Sequence, residues 1–461
     1  MFKKMTLSLA TASILVSVVN ADDITTIYQD PDTGVLYGTE NSNFDEFQDF
    51  KNAKELDREI QDLDSKLTKL KMKFDSSKAG KLVSVEKKGS PEFALGKYTG
   101  PNFKIKAQDN SDMYVKLGAR IQSTFENRTI DKGGNEETYN DAYLRRTRFE
   151  ITTGFDKYTS FTMDVRNDKA NYQDDGEKGF NVGDAYLKIK KPFGSSLVNF
   201  KLYRGKIDVS RTETVKSAYV IHYDRPAVAD EAAQYITHNR RGTNAQMYGD
   251  WNKKIHYQVA IGDGVYSGKM KDATGSSYGG DVTQESFFYG GKVVLSPIDG
   301  WEEKHKTETY FGKGQHFSIG GSYWNSSDIV LDSGDTIDHE LLNIEVSAHY
   351  KGLFVGAEYF QFDGVANDWD GDSFKTGTSD GFYVTGEYMF DNHIAPFFRY
   401  ESWNKWEGED GYDFTSTLFG ANWYLRGYTT KIGLVVQNDD YDDKIGDKTD
   451  QRFKLTTQWF F

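Results

Sequence analysis

Cationic side chains recur in this sequence at the even spacings that place residues on one face of a strand. Lys116 with Arg120, Arg146 with Arg148, and Lys188 with Lys190 fall in phase, and Arg166, Lys201, Arg399 and Lys431 hold the matching phase in their own stretches. Glu126, Glu150, Asp164, Asp184, Glu345, Glu358 and Glu401 share that face. Such rows either set a field across a wet space or pair across neighbouring strands and fill it. A second group, Arg211, Lys216, Arg225, His238, Arg240 and Arg241, lies in the polar connection 208–241 beside Asp224, Asp230 and Glu231. Charges in a narrow, partly dehydrated ring act far more strongly than on an open surface. Arg211, Lys216, Arg225, Arg240 and Arg241 are therefore the candidates for setting an ion preference.

Other chemistry is poorly provided for. The eight histidines are scattered with none at a zinc-type spacing, and there is no cysteine. Gly262-Asp263-Gly264 and the pairs Gly279-Gly280, Gly290-Gly291 and Gly320-Gly321 open no helix, as a phosphate-binding loop must. Asp368-Trp369-Asp370-Gly371-Asp372 begins like a calcium loop, but Ser373 and Ser379 stand where it needs Gly and Glu. No catalytic group, metal or cofactor is expected. A formal net charge of −14 argues against nucleic acid as a partner.

The elements that must hold these charges are strands. Hydrophobic residues are only 37% of the chain, yet 15% is aromatic, and no run beyond residue 21 is apolar enough for a membrane helix. Period-2 alternation resolves this: Val115, Leu117, Ala119 and Ile121 oppose Lys116, Arg120 and Gln122, and Leu342, Ile344 and Val346 oppose Asn343, Glu345 and Ser347. Sixteen such stretches are expected, at about 113–125, 142–155, 158–168, 181–191, 197–207, 242–251, 255–263, 285–295, 315–325, 340–350, 353–362, 381–390, 394–404, 413–424, 428–438 and 450–461. Short connections alternate with long polar ones at 126–141, 208–241, 264–284, 363–380 and 439–449. The long piece 296–314 falls where a short turn belongs, so it is either an insertion or a slip in the count. In the last stretch Phe453, Leu455, Trp459 and Phe461 share one face, suited to closing a sheet on itself. The expected fold is all-β, a transmembrane antiparallel barrel over 113–461; composition alone leaves a large soluble β-protein as the rival.

The amino-terminal part is different. Lys3 and Lys4, an apolar run to Val19 and the small Ala21 read as a signal peptide over 1–21. The run is too short for a membrane anchor. Its cleavage removes two lysines and no acid, taking the net charge from −14 to −16. Residues 22–112 read as a periplasmic extension, aperiodic to about residue 50 with a turn at Pro31 and Gly34. Leu56, Ile60, Leu63, Leu67, Leu70 and Phe74 then form a heptad seam over 51–75, which is either a short coiled coil or a lone amphipathic helix packed elsewhere.

Several segments of 110–461 resemble the phosphate-selective porins O and P, in consistent order. They are Tyr114-Val115-Lys116-Leu117-Gly118-Ala119-Arg120-Ile121-Gln122, Arg145-Arg146-Thr147-Arg148, Gly183-Asp184-Ala185-Tyr186-Leu187, Tyr223-Asp224-Arg225-Pro226, Arg240-Arg241-Gly242 and Gly420-Ala421-Asn422-Trp423-Tyr424-Leu425. The resemblance implies a sixteen-stranded homotrimeric outer-membrane channel whose third loop folds inward as a constriction, with arginines and lysines guiding anions. The signal peptide and barrel pattern carry the expectation of a Gram-negative outer-membrane location, with lipid and lipopolysaccharide as neighbours, and the amino-terminal segment is a candidate for cell-wall contact. The chain departs from a basic funnel at Asp363, Asp368, Asp370 and Asp372, at Glu407, Glu409 and Asp410, and at Asp439, Asp440, Asp442 and Asp443, all expected in outer loops. General or cation-leaning diffusion, and a structural or adhesive surface protein, are the alternatives to an anion channel.

Overall fold

The computed structural model describes residues 26–29, 36–39, 65–66, 84–85, 103–107, 112–170, 172, 179–237, 240–264, 269–271, 277–284, 286–298, 308–309, 311, 315–331, 334–367 and 375–460. The chain divides into two compact units, 1–81 and 82–461. In the first, Thr26–Gln29 pairs antiparallel with Leu36–Thr39 on either side of Pro31 and Gly34, a hairpin in a stretch expected to be aperiodic. Ser65 and Lys66 are helical; the signal peptide and the rest of the heptad seam lie outside the described residues.

The second unit is a closed antiparallel barrel of sixteen wall strands. They are β1 (Tyr114–Lys132), β2 (Asn135–Gly154), β3 (Thr159–Ala170), β4 (Asn181–Ile189), β5 (Asn199–Gly205), β6 (Gly242–Trp251), β7 (Ile255–Asp263) and β8 (Phe287–Ile298). The circuit continues with β9 (Gln315–Leu331), β10 (Thr336–Tyr350), β11 (Leu353–Asn367), β12 (Lys375–Tyr388), β13 (Ile394–Asn404), β14 (Asp413–Tyr428), β15 (Thr430–Tyr441) and β16 (Lys448–Phe460). β16 closes on β1 with Phe453 opposite Asn127, Leu455 opposite Phe125 and Trp459 opposite Ile121. Phe461, expected to share in the closure, lies outside the described residues. The start of β1, beyond the reach of β16, is paired by Phe103–Lys106, so the barrel sheet begins before the expected residue 113.

The surface is the inverse of a water-soluble protein's. Along β10, Leu342, Ile344 and Val346 face out and are exposed, while Leu341, Asn343, Glu345, Ser347 and His349 are buried inside. Tyr158, Trp251, Tyr350, Tyr388 and Trp459 stand exposed towards the short-turn end, and Phe287, Tyr289 and Tyr323 towards the other, as two aromatic girdles.

One expected feature differs. Residues 126–141 are not a loop: β1 and β2 run on as strands of 19 and 20 residues to a tight turn at Gly133-Gly134 (φ 60° and 88°). Positive φ at both central residues matches strand twist, and glycine adopts it without strain. About ten residues cross a bilayer, so the rest is wet on both faces and loses the hydrophobic alternation. At 296–314 the insertion, one of the two expected readings, is the one found: β8 runs on to Ile298, β9 begins at Gln315 with the strand count intact, and Glu308 and Thr309 between them are buried.

The core lies within the barrel, under the connection from β5 to β6. This loop, 206–241, carries α1 (Arg211–Thr214) and α2 (Ala227–Tyr235). Val228, Ala229, Ala232 and Ile236 of α2 and its end pack on Trp324, Leu341, Phe360 and Phe362 from β9 to β11. Apolar side chains face inward where the loop covers the wall.

Candidate pore constriction

The loop crosses the barrel and hangs on the far wall by its backbone. Thr212 N–H donates to Glu358 (2.7 Å) and Val228 N–H to Glu401 (2.6 Å). Lys431 donates to the carbonyls of Val220 (2.9 Å) and Ile221 (2.8 Å), Asn422 to that of Ile221 (3.0 Å), and Arg399 to that of Asp224 (2.8 Å). Lys431 and Arg399, expected in the open lumen, therefore lie under the loop, and Arg211 sits over the Phe354 ring at 5.2 Å. Two of the glutamates expected to oppose the cations across water are covered in the same way: Glu345 is paired with Lys292 at 2.5 Å, and Glu358 accepts from Tyr383. An isolated buried carboxylate is expensive; here each has its donors.

Between the loop and the β1–β7 wall remains a cavity of 960 Å³. Its lining brings together Arg120, Arg146, Arg148, Lys188, Lys201, Lys216, Arg225, Arg240 and Arg241 of the expected residues, and adds Arg145, Lys169 and Lys206. Arg145, like Lys169 of β3, is a residue that alternation misses. The register of β2 against β1 shifts at this point, Gln122 facing Arg146 and Ser123 facing Leu144. This β-bulge turns two successive arginines inward: Arg145 reaches Asp224 (2.8 Å) while Arg146 reaches Gln122 (3.0 Å) and the Tyr223 carbonyl (3.0 Å). Lys116 and Arg166 lie outside this lining; Arg166 is buried against Asp164 (2.8 Å) and Asp184 (3.3 Å).

Twelve basic and seven acidic side chains line the cavity, an excess of five positive charges in an acidic chain. Arg120, Arg148 and Arg166 stand directly opposite one another across β1, β2 and β3. Like charges in such register are destabilising unless compensated. Arg148 is compensated by Asp168 (2.5 Å) and Arg166 by its aspartates. Arg120 makes no hydrogen bond or ion pair among the described residues, and its Nε is buried without a partner.

The loop is tied by a second network. Glu213, fully buried, takes Lys206 (2.6 Å), Arg225 (3.0 Å) and Arg240 (2.7 Å). Burial pushes its carboxyl up, but Arg225, Lys206 and Arg240 outweigh that and hold it well below the usual carboxylate range. Asp224, clasped by Arg145 (2.8 Å) and Lys454 (2.9 Å), is likewise held far down against the effect of burial. Lys216 pairs with Glu150 of β2 at 2.8 Å across the cavity. His238 lies outside the described residues.

Solved structures similar to this closed barrel include outer-membrane channels. The outer membrane channel DcaP of Acinetobacter baumannii is similar with a TM-score of 0.51 at 12% identity, over 77% of this chain and 99% of that one. Salmonella typhi OmpF in complex with daunomycin gives 0.47 at 12% over 76% and 98%, and a mutant Rh. blastica porin 0.41 at 13% over 75% and 100%. At such identities the likeness is one of fold. No protein-family model matches the sequence, and no curated protein does. The resemblance to phosphate-selective porins thus rests on the short segments quoted above.

Proposed function

We propose that the protein is an outer-membrane porin of a Gram-negative bacterium, working as a homotrimer and passing small hydrophilic solutes by diffusion with a preference for anions. The observation that carries this reading is the surplus of cations on the cavity wall, among them Arg120, which has no ion-pair partner among the described residues. Selectivity in a pore is set by charge and width at its narrowest ring, where low-dielectric walls focus the field. The acidic balance of the chain lies elsewhere: Glu407, Glu409, Asp410 and Asp443 are exposed in the loops between β13 and β14 and between β15 and β16. Asp439, expected in an outer loop, is buried on β15 and accepts from Ser416 and Gln437.

Purified protein in planar bilayers under a KCl gradient tests the proposal. Conductance in steps of three with an anion-selective reversal potential is expected. Absence of conductance would favour a structural barrel, and a cation-selective potential would reverse the assigned preference.

A further inference from the structure

We infer that Glu308, Thr309 and Phe311, between β8 and β9, act as an internal strut that sets the shape of the passage, with Glu308 as the positioning residue; the inference rests on the porin reading above. The edge of the loop that faces the cavity is the turn Lys216 to Tyr219. The barrel wall offers this edge donors. Gln122 donates to the Ser217 carbonyl (2.9 Å) and Gln458 to that of Ala218 (2.9 Å), while Lys431 and Asn422 serve Val220 and Ile221. The wall leaves the N–H side of the edge to something else.

Glu308 supplies it. Its carboxylate accepts the buried Ile221 N–H at 2.5 Å, and its own N–H donates to the Tyr219 carbonyl at 3.0 Å. The next residue anchors the strut to the wall, Thr309 N–H donating to the Tyr428 hydroxyl at 2.8 Å. Phe311 then packs edge-on against Tyr424 (5.2 Å) and Tyr428 (5.0 Å), and the Tyr219 ring meets Tyr428 at 5.5 Å. One connected set of contacts thus runs from β14 through the insertion to the turn that carries Lys216. A loop tied at one side only can swing into or away from the passage; tied at both its carbonyls and its N–H groups, it cannot.

The test compares full-length Glu308→Ala and Glu308→Gln with the native protein. The amide oxygen of Gln can still accept the Ile221 N–H, whereas Ala leaves it buried and unmet. In bilayers Glu308→Ala is expected to give several-fold more closures per second and a reversal potential closer to zero, and Glu308→Gln to behave as the native channel. In detergent, amide exchange over 216–223 is expected to be about tenfold faster in Glu308→Ala, as for loss of one buried hydrogen bond. Should Glu308→Ala not fold, Tyr428→Phe, which removes the acceptor for Thr309, is expected to show the same effects more weakly. Unchanged exchange over 216–223 in the folded variant overturns the strut whether or not the barrel conducts. A native protein that does not conduct, with the exchange difference intact, overturns only the porin reading.

Discussion

Lys216 and Arg225 carry the same charge in the same loop, but their surroundings give them separate work. The Lys216 side chain is 52% exposed and meets Glu150 across the cavity, an ion pair of small stabilising value in so wet a place. Arg225 is buried, donating to the carbonyls of Thr212 (3.0 Å) and Val215 (2.9 Å) while pairing with Glu213. Removing one partner of a buried pair is strongly destabilising, on the order of 3–5 kcal/mol locally. Lys216→Ala is therefore expected to shift the reversal potential towards zero and leave the protease resistance of the folded barrel unchanged. Arg225→Ala should move both, since Glu213 loses one of its three cations. Reversal potentials and limited proteolysis of the two variants decide this, and equal behaviour in both assays would refute the division of labour.

Among elements, the loop 206–241 is held in part by two of its own carboxylates that stay ionised, Glu213 and Asp224. Glu213 and Asp224 are both held below the ordinary carboxylate range by their cations despite burial. A group whose folded pKa is depressed contributes its full stability above its unfolded value, near 4 for carboxylates, and loses it as pH falls further. The ties made by Glu213 and Asp224 should thus be constant between about pH 7 and 5.5 and weaken progressively below about pH 4. Amide exchange of residues 211–225 or channel noise, measured against pH at fixed salt, checks this. Weakening that begins between pH 7 and 6 would contradict it. The bulge at Arg145 is the second device at this scale, because it lets β2 present two adjacent arginines to the same side.

For the molecule as a whole, the apolar surface must face lipid. Leu434 is 50% exposed on the outer face in the middle of β15. Arg or Lys on a lipid-facing position at mid-depth costs roughly 2–4 kcal/mol. Leu434→Arg is expected to lower the fraction that folds into phospholipid vesicles, while Leu434→Ala changes it little. Equal folding of Leu434→Arg and Leu434→Ala would mean that this face does not meet hydrocarbon. The arrangement of charge belongs to this scale too, with cations along the β1–β7 wall and exposed acids in the far loops.

Alternation by itself determined the sixteen strands, their order and the inward phase of Arg120, Arg146, Arg148, Lys188 and Lys201, because lipid on one side and water on the other force a period of two. The same rule failed wherever that asymmetry is absent. Beyond the bilayer β1 and β2 are wet on both faces, so their extension to Gly133-Gly134 carries no period-2 signal and looks like a polar loop in sequence. Under the loop the inner face is dry, so Leu341, Phe360 and Phe362 point inward and Lys431 is buried. Which inward charges meet the cavity and which hold the loop follows from the packing of distant segments, since phase tells the face of a strand but not what covers it. Such packing also places Glu308: an anomalous length marks 296–314, but the contact of that segment with Ile221 joins residues 87 apart, and no local pattern records such a pairing.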